Sequence, residues 1–494
     1  MPRVIAATRR STSRATAGAS SSRCPRCRPR AAMRLPEAFR SLRSREVVVR
    51  DLGHSSAKHA LAARRRTVRR ARRGPKGRGR SHLGSLGVAA RDRRQDPVNT
   101  NIRLLYGFSF FDPFMIVIPV WVPYLLTQGI TMRQFMELQA VFAIVILCGE
   151  VPSGLLSDLW GRKKTLLLGA ALKAVSFSLL PLWSSYEGFL FYHLTMGIAL
   201  SMISGGDVAL LYEWHLAAGG ERSRGTAVLG NMKLAGQTGA AVSALLGSAI
   251  VTLSYGHLLW ANAILSWIPM LLVLGVTEPP AAPETGKERS ENFKEVLSTT
   301  LVSDGTTRLV FLNLVASGTA GLVMVWTHQK YWQDSGVPLA YFGVLFASYN
   351  LIFGFAGRSA ALASARYGRR SLFAAIGVLP IIACFGMASF FGWGGILLGT
   401  LGQIGRGLGS VLFLNELNEK ISSAFRATVI SMAQLGTRAS FALLGPLVGY
   451  GIDAWGLPSV LSALGLLFSI AFVLLLLPLV LRAMPLSPAD APGG

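Results

Sequence analysis

Along residues 102–481 polar and apolar positions alternate in blocks: apolar runs of about twenty residues are separated by short polar breaks. A helix needs about that length to cross roughly 30 Å of hydrocarbon, and only helices or closed barrels satisfy their backbone hydrogen bonds there. The pattern predicts spans near Ile102–Leu126, Gln134–Leu156, Thr165–Trp183, Phe189–Leu211, Ala227–Leu253 and Leu258–Val276. Six more are predicted near Thr306–Thr327, Leu339–Leu362, Leu372–Phe391, Gly394–Leu417, Ala427–Ile452 and Pro458–Leu481. Between the two sets, 277–304 is proline-rich and charged and reads as a linker. The expected fold is an all-α membrane protein of about twelve helices, with six-helix bundles over 99–276 and 305–482 and a short tail over 483–494.

Composition agrees: hydrophobic residues make up 51%, charged residues 15%, and the mean hydropathy is +0.44. The net charge of +26 would suggest nucleic acid if it were spread over the chain. Residues 1–98, however, hold 27 Lys and Arg against 5 Asp and Glu, so most of the charge is local. That segment lacks apolar periodicity and is expected to be disordered. A transit peptide, a basic arm touching lipid or nucleic acid, and a misassigned start codon remain open; a start near Val98 is favoured, and no nucleic-acid partner is expected.

Basic residues in short loops stay on the cytoplasmic side. Arg162, Lys163, Lys164, Arg222, Arg224, Lys287, Arg289, Lys294, Arg366, Arg369, Arg370, Lys420 and Arg426 all fall in even-numbered loops, with Arg133 and Lys330 in odd ones. Both termini are therefore expected in the cytoplasm, with the chain in a bacterial cytoplasmic membrane. Cys24 and Cys27 with His54 and His59 do not have zinc-finger spacing, and no nucleotide loop or catalytic triad is visible. Neither metal nor cofactor is expected, and the protein is not expected to be an enzyme.

Between the second and third spans stands Gly154-Leu-Leu-Ser-Asp158-Leu-Trp-Gly161-Arg162-Lys163-Lys164. Gly154 would let a neighbouring helix approach, Gly161 would permit a tight turn, and Asp158 would reach a helix N-terminus or pair with Arg162. A weakened second copy, Gly357-Arg358 through Gly368-Arg369-Arg370, occupies the loop between the eighth and ninth spans, with Ala361 and Ala365 in place of the Gly and Asp. The first motif closely resembles the loop signature of the major facilitator superfamily. Glu150-Val-Pro-Ser-Gly154 and Arg426-Ala-Thr-Val-Ile-Ser431 resemble a poorly characterised bacterial permease group within it. The resemblance implies two bundles rocking about a central site, with these loops as a conformational latch. The fifth span lacks the Gly-Pro pair of many antiporters, and Glu278-Pro-Pro differs from the sugar-porter pattern.

Ionisable groups inside hydrocarbon are costly and therefore mark sites or partners. Asp112 precedes Pro113 in the first span, and Asp207 lies near Ser204 in the fourth. Polar stripes at helical spacing are Lys233 and Gln237, Asn313 and Ser317, Gln403, Arg406 and Ser410, and Thr428, Ser431, Gln434 and Arg438. These are the expected substrate or proton groups, unless an acid merely pairs with Lys233, Arg406 or Arg438 to hold helices together. Glu150, Glu213, Glu416 and Arg426 lie nearer the cytoplasmic interface and are expected to gate. The expected function is proton-coupled movement of a small organic molecule by a monomer in the lipid bilayer. The alternative is a transporter-like sensor or scaffold.

Overall fold

The computed structural model describes residues 99–218, 225–279, 304–421 and 425–482, with the backbone alone at 225, 226 and 427. The basic N-terminal segment, most of the linker, and the loop residues Arg222 and Arg224 lie outside the described residues, as does the 483–494 tail.

The helices are α1 (99–111), α2 (Ile118–Thr127), α3 (Met132–Trp160), α4 (Arg162–Leu182), α5 (Tyr186–Ile203), α6 (Gly206–Ala217), α7 (Gly225–Val251) and α8 (Tyr255–Gly275). After the linker come α9 (Gly305–Asp334), α10 (342–367), α11 (369–389), α12 (Trp393–Lys420), α13 (Arg426–Trp455) and α14 (Leu457–Arg482). No strand occurs among the described residues. The pairs α1/α2 and α5/α6 are each one interrupted crossing, so the fourteen helices make the expected twelve spans.

Local chemistry sets several starts. Thr131 and Gln134 form a reciprocal cap on α3, while the Ser185 and Ser254 hydroxyls cap α5 and α8. Asp304 caps α9, accepting from Thr306 N at 2.9 Å and Thr307 N at 3.1 Å. The Thr307 hydroxyl and these N–H groups hold its carboxyl below the usual carboxylate range. Gly161 (φ 97°) and Gly368 (φ 77°) separate α3 from α4 and α10 from α11 with nearly the same backbone geometry, so the two loop motifs are structural repeats.

Two crossings in the first half are broken. Pro113 has no N–H to donate and disfavours helix at Asp112, and the chain becomes helical again only at Ile118. The second break falls at Ser204–Gly205, where Gly205 takes φ 78°. The α7 glycines accommodate the first break. A Cβ on Gly239 would overlap the Phe110 carbonyl oxygen, and one on Gly247 the Ile116 carbonyl oxygen. Backbone thus packs on backbone, as small residues permit in membranes. Gly239→Val is expected to abolish folded protein, read as loss of the monodisperse peak on size exclusion in detergent, whereas Gly154→Val, facing open space, should keep it.

The two halves meet mainly at one end. There Gln329 of α9 brackets α2, accepting from Val122 N at 3.1 Å and donating to Ile118 O at 3.0 Å. Asp453 of α13 accepts from Met132 N at 3.1 Å and Arg133 N at 2.7 Å, capping α3 from the opposite half. Gly343 N donates to the Ser248 hydroxyl, joining α10 to α7. Farther along, Arg438 of α13 pairs with Glu150 of α3. Among the described residues, no hydrogen bond or ion pair joins the halves beyond that pair toward Gly161 and Gly368. Among the described residues the hydrogen bonds and ion pairs between the halves are therefore concentrated toward the end bearing Asp453, and the end bearing the loop motifs, called the parted end below, shows none.

Candidate functional site

At the parted end each motif arginine is tied within its own half. Arg162 pairs with Glu213 of α6, and Arg369 pairs with Glu416 of α12 at 2.8 Å and Glu419 at 3.0 Å. Glu278 caps α4, accepting from Arg162 N at 2.8 Å and Lys163 N at 3.2 Å. Asp158 does not pair with Arg162: it is exposed, and Glu213 takes its place. Gly154 likewise meets no neighbouring helix. Both differences go with one observation: among the described residues nothing from the opposite half reaches either position. Arg370 is exposed, and Arg426 Nε turns back onto Ile421 O at 3.2 Å.

In the first half, the break in α1/α2 leaves Asp112 beside Lys173 of α4. The Lys173 ammonium lies 2.8 Å from Asp112 Oδ1 and also donates to the Asp112 carbonyl. Lys173 is 3% exposed and Asp112 26%, so the cation is the more deeply enclosed member. Asp112 therefore pairs with neither Lys233, Arg406 nor Arg438. Asp207 stands in the first turn of α6 just past the second break, accepts from Val208 N at 2.8 Å, and lies within the electrostatic reach of Asp112. The two helix interruptions thus each carry a carboxylate, and the first of them is paired with the enclosed Lys173 ammonium. Ser204 is exposed at the break, and Lys233 and Gln237 are exposed one turn apart on α7.

In the second half, Asn313, Ser317, Gln403 and Arg406 converge on a cavity of about 100 Å³ between α9, α11, α12 and α14. The Asn313 amide is already committed, donating to Leu309 O at 2.8 Å and Leu475 O at 2.9 Å. Leu475 lies in a π-helical turn, Phe472–Leu476, whose i→i+5 bonding alters the ladder beside the cavity. Gln434 is exposed on α13 and Arg438 is engaged with Glu150, so neither joins this cavity. Among the described residues, no group of three or more His, Cys, Asp or Glu is placed to hold a metal.

Sequence reasoning overlooked Lys173, His328, Gln329 and Glu278 as site groups. The rule that flagged Asp112 would have flagged Lys173, an ionisable group within the Thr165–Trp183 run, but not His328, which lies just past Thr327 beside Gln329 and Lys330. Nothing local marks Gln329, whose partners are more than 200 residues away.

A sequence model of the Major Facilitator Superfamily matches residues 104–326. Over that part the chain is similar to the major facilitator superfamily. Solved members share the fold. The nucleoside transporter NupG superposes with a TM-score of 0.63 at 15% identity, over 78% of this chain and 99% of that one. A bacterial homologue of the human lysosomal transporter Spinster, in an inward-facing, unoccupied conformation, gives 0.65 at 14% identity over 80% and 99%. A D-xylose-proton symporter gives 0.58 at 14% over 75% and 96%. No curated protein sequence matches the chain. Among the described residues, nine helices are long and apolar enough to cross a membrane.

Proposed function

We propose that the protein moves a small organic solute across a bacterial cytoplasmic membrane by alternating access, driven by protons and acting as a monomer with both termini in the cytoplasm. The observation that carries this reading is the asymmetry of the contacts between halves. Hydrogen bonds seal one end, and the motif-bearing end is parted. On the loop-charge orientation, the parted end opens to the cytoplasm. Rocking of the halves would exchange these contacts for a latch through Gly154, Asp158 and the motif loops.

Supporting proton coupling is the placement of Asp207 near the Asp112–Lys173 pair at two helix breaks. With Lys173 already engaged by Asp112, a proton on Asp207 relieves repulsion between neighbouring carboxylates. Solute engagement is assigned to the cavity of Ser317, Gln403 and Arg406.

The test is transport in proteoliposomes of the whole protein with an imposed pH gradient and a broad solute panel. The expected result is gradient-driven accumulation that Asp207→Asn abolishes while gradient-free exchange persists. Accumulation that is indifferent to the gradient removes the proton role. No movement of any solute favours the sensor or scaffold reading.

A further inference from the structure

We propose that the cavity between α9, α11, α12 and α14 takes a small monocarboxylate with an apolar body, its carboxylate on Arg406 and a second polar group at His328 Nε2. As the identity of the transported solute, this rests on the transport reading above. As a binding site, it stands on the following geometry.

Arg406 is half-buried and has no carboxylate partner among the described residues, whereas Lys173, Arg162, Arg369 and Arg438 each have one. Its guanidinium rests 4.5 Å from the centroid of the Phe353 ring. An aromatic face offsets only part of the hydration an enclosed cation loses, and it leaves the planar N–H fork free for a bidentate anion. Small residues make room for the side chain: a Cβ on Gly321 would come within 3.0 Å of Arg406 Cδ.

A second and independent residue, His328, lines the same cavity. His328 is 3% exposed, and its Nε2 has no hydrogen-bond partner. Its ring is fixed by stacking on Trp332, 6.3 Å between centroids, and by an edge contact with Tyr349 at 4.9 Å. An unmet buried polar nitrogen costs free energy unless a ligand atom completes it.

The remaining lining sets the class. It is dominated by groups such as Phe413, Phe468, Phe472 and Pro380, and it contains no Asp or Glu. An ammonium-bearing solute, including a zwitterionic amino acid, would therefore find no counter-charge. One arginine matches one negative charge, and a dianion would bring a second, unbalanced charge into low dielectric. Scale sets the size, since a dry apolar cavity of about 150 Å³ accepts benzene. A cavity of about 100 Å³ is smaller, so it sets one small ring or a short chain as the upper limit.

The test is calorimetric titration of the whole protein in nanodiscs, without any gradient, using benzoate, 4-hydroxybenzoate, hexanoate and neutral benzyl alcohol. Benzoate is expected to bind about tenfold or more tighter than benzyl alcohol, the scale of one charge-assisted contact. Arg406→Gln should remove that difference. His328→Phe should remove any preference for 4-hydroxybenzoate over benzoate while leaving benzoate bound. Equal affinity for acid and alcohol, unchanged benzoate binding in Arg406→Gln, or no binding by any of the three acids at millimolar concentration overturns the proposal.

Should Arg406→Gln not fold, hydrogen exchange of the wild-type protein with and without benzoate decides. Protection over 313–328 and 402–406 upholds the site, and protection confined to the first half overturns it. Acids that bind but are never transported sink the transport reading alone. A transported solute with no acid bound sinks this assignment alone.

Discussion

Asp112→Ala is expected to destabilise the protein by about 3 kcal/mol or more, because it leaves an ammonium enclosed in the first bundle without its counter-ion. The effect should be asymmetric. Lys173 is 3% exposed, so it has almost no access to water once Asp112 is gone. Asp112 is 26% exposed and can be hydrated when Lys173 is replaced, so Lys173→Met should cost less. The double replacement Asp112→Ala with Lys173→Met removes both charges and should recover most of the stability lost in Asp112→Ala, as apolar replacement of buried pairs often does. Thermal denaturation in detergent reads the order: wild type and the double variant highest, Lys173→Met between, Asp112→Ala lowest. A double variant no more stable than Asp112→Ala would show that the pair does not act as a unit. The structure also alters how Asp112 should be used as a probe of proton coupling. Its loss perturbs folding as well as titration, so Asp207, which has no ion pair, is the cleaner position.

Gln329→Leu is expected to open the sealed end. The native amide serves both Val122 N and Ile118 O, and its side chain is fully buried. Leucine fills a similar volume but leaves two buried backbone groups unpaired, at about 1–3 kcal/mol each. That cost falls only on the state in which these groups are enclosed. It should therefore shift the conformational equilibrium tenfold for every 1.4 kcal/mol, or so, away from the sealed arrangement. Asp453→Asn should act in the same direction, because the single amide oxygen can keep only one of the Met132 N and Arg133 N bonds and the charge facing the α3 N-terminus is lost. Spin labels at Thr252 and Ala340, exposed at the adjoining ends of α7 and α10, report the separation in a background without the native cysteines. A longer distance in Gln329→Leu is the expected result. An unchanged distribution in both variants would mean that these bonds do not hold the seal.

The arginine pairs at the parted end are informative because they repeat. Arg162–Glu213 and Arg369–Glu416 occupy equivalent places in the two halves, although the second motif has lost its Gly and Asp. The arginine and the positive-φ glycine survive in both copies, and those are the parts that tie a loop to its own bundle. Asp158, present only in the first copy, makes no such tie in this conformation. Its role as a latch belongs to the proposed opposite state.

The block pattern of the sequence by itself determined the all-helical, membrane-spanning fold class and pointed to the superfamily it resembles. Hydrocarbon imposes a length and a composition on each span, and the Gly-Arg motif marks one loop, so these features are written locally. It also marked Asp112, Asp207 and Arg406, because a charge in an apolar run stands out wherever it occurs. Only the tertiary structure decided which charge meets which: Asp112 with Lys173 across 61 residues, Glu150 with Arg438 across 288, and Arg406 with an aromatic ring and no acid. The physical reason is that a span's sequence dictates burial in lipid, but helix rotation and the breaks at Pro113 and Gly205 dictate direction. Those are set by the packing of backbone on backbone, as at Gly239 against Phe110, which no local pattern records.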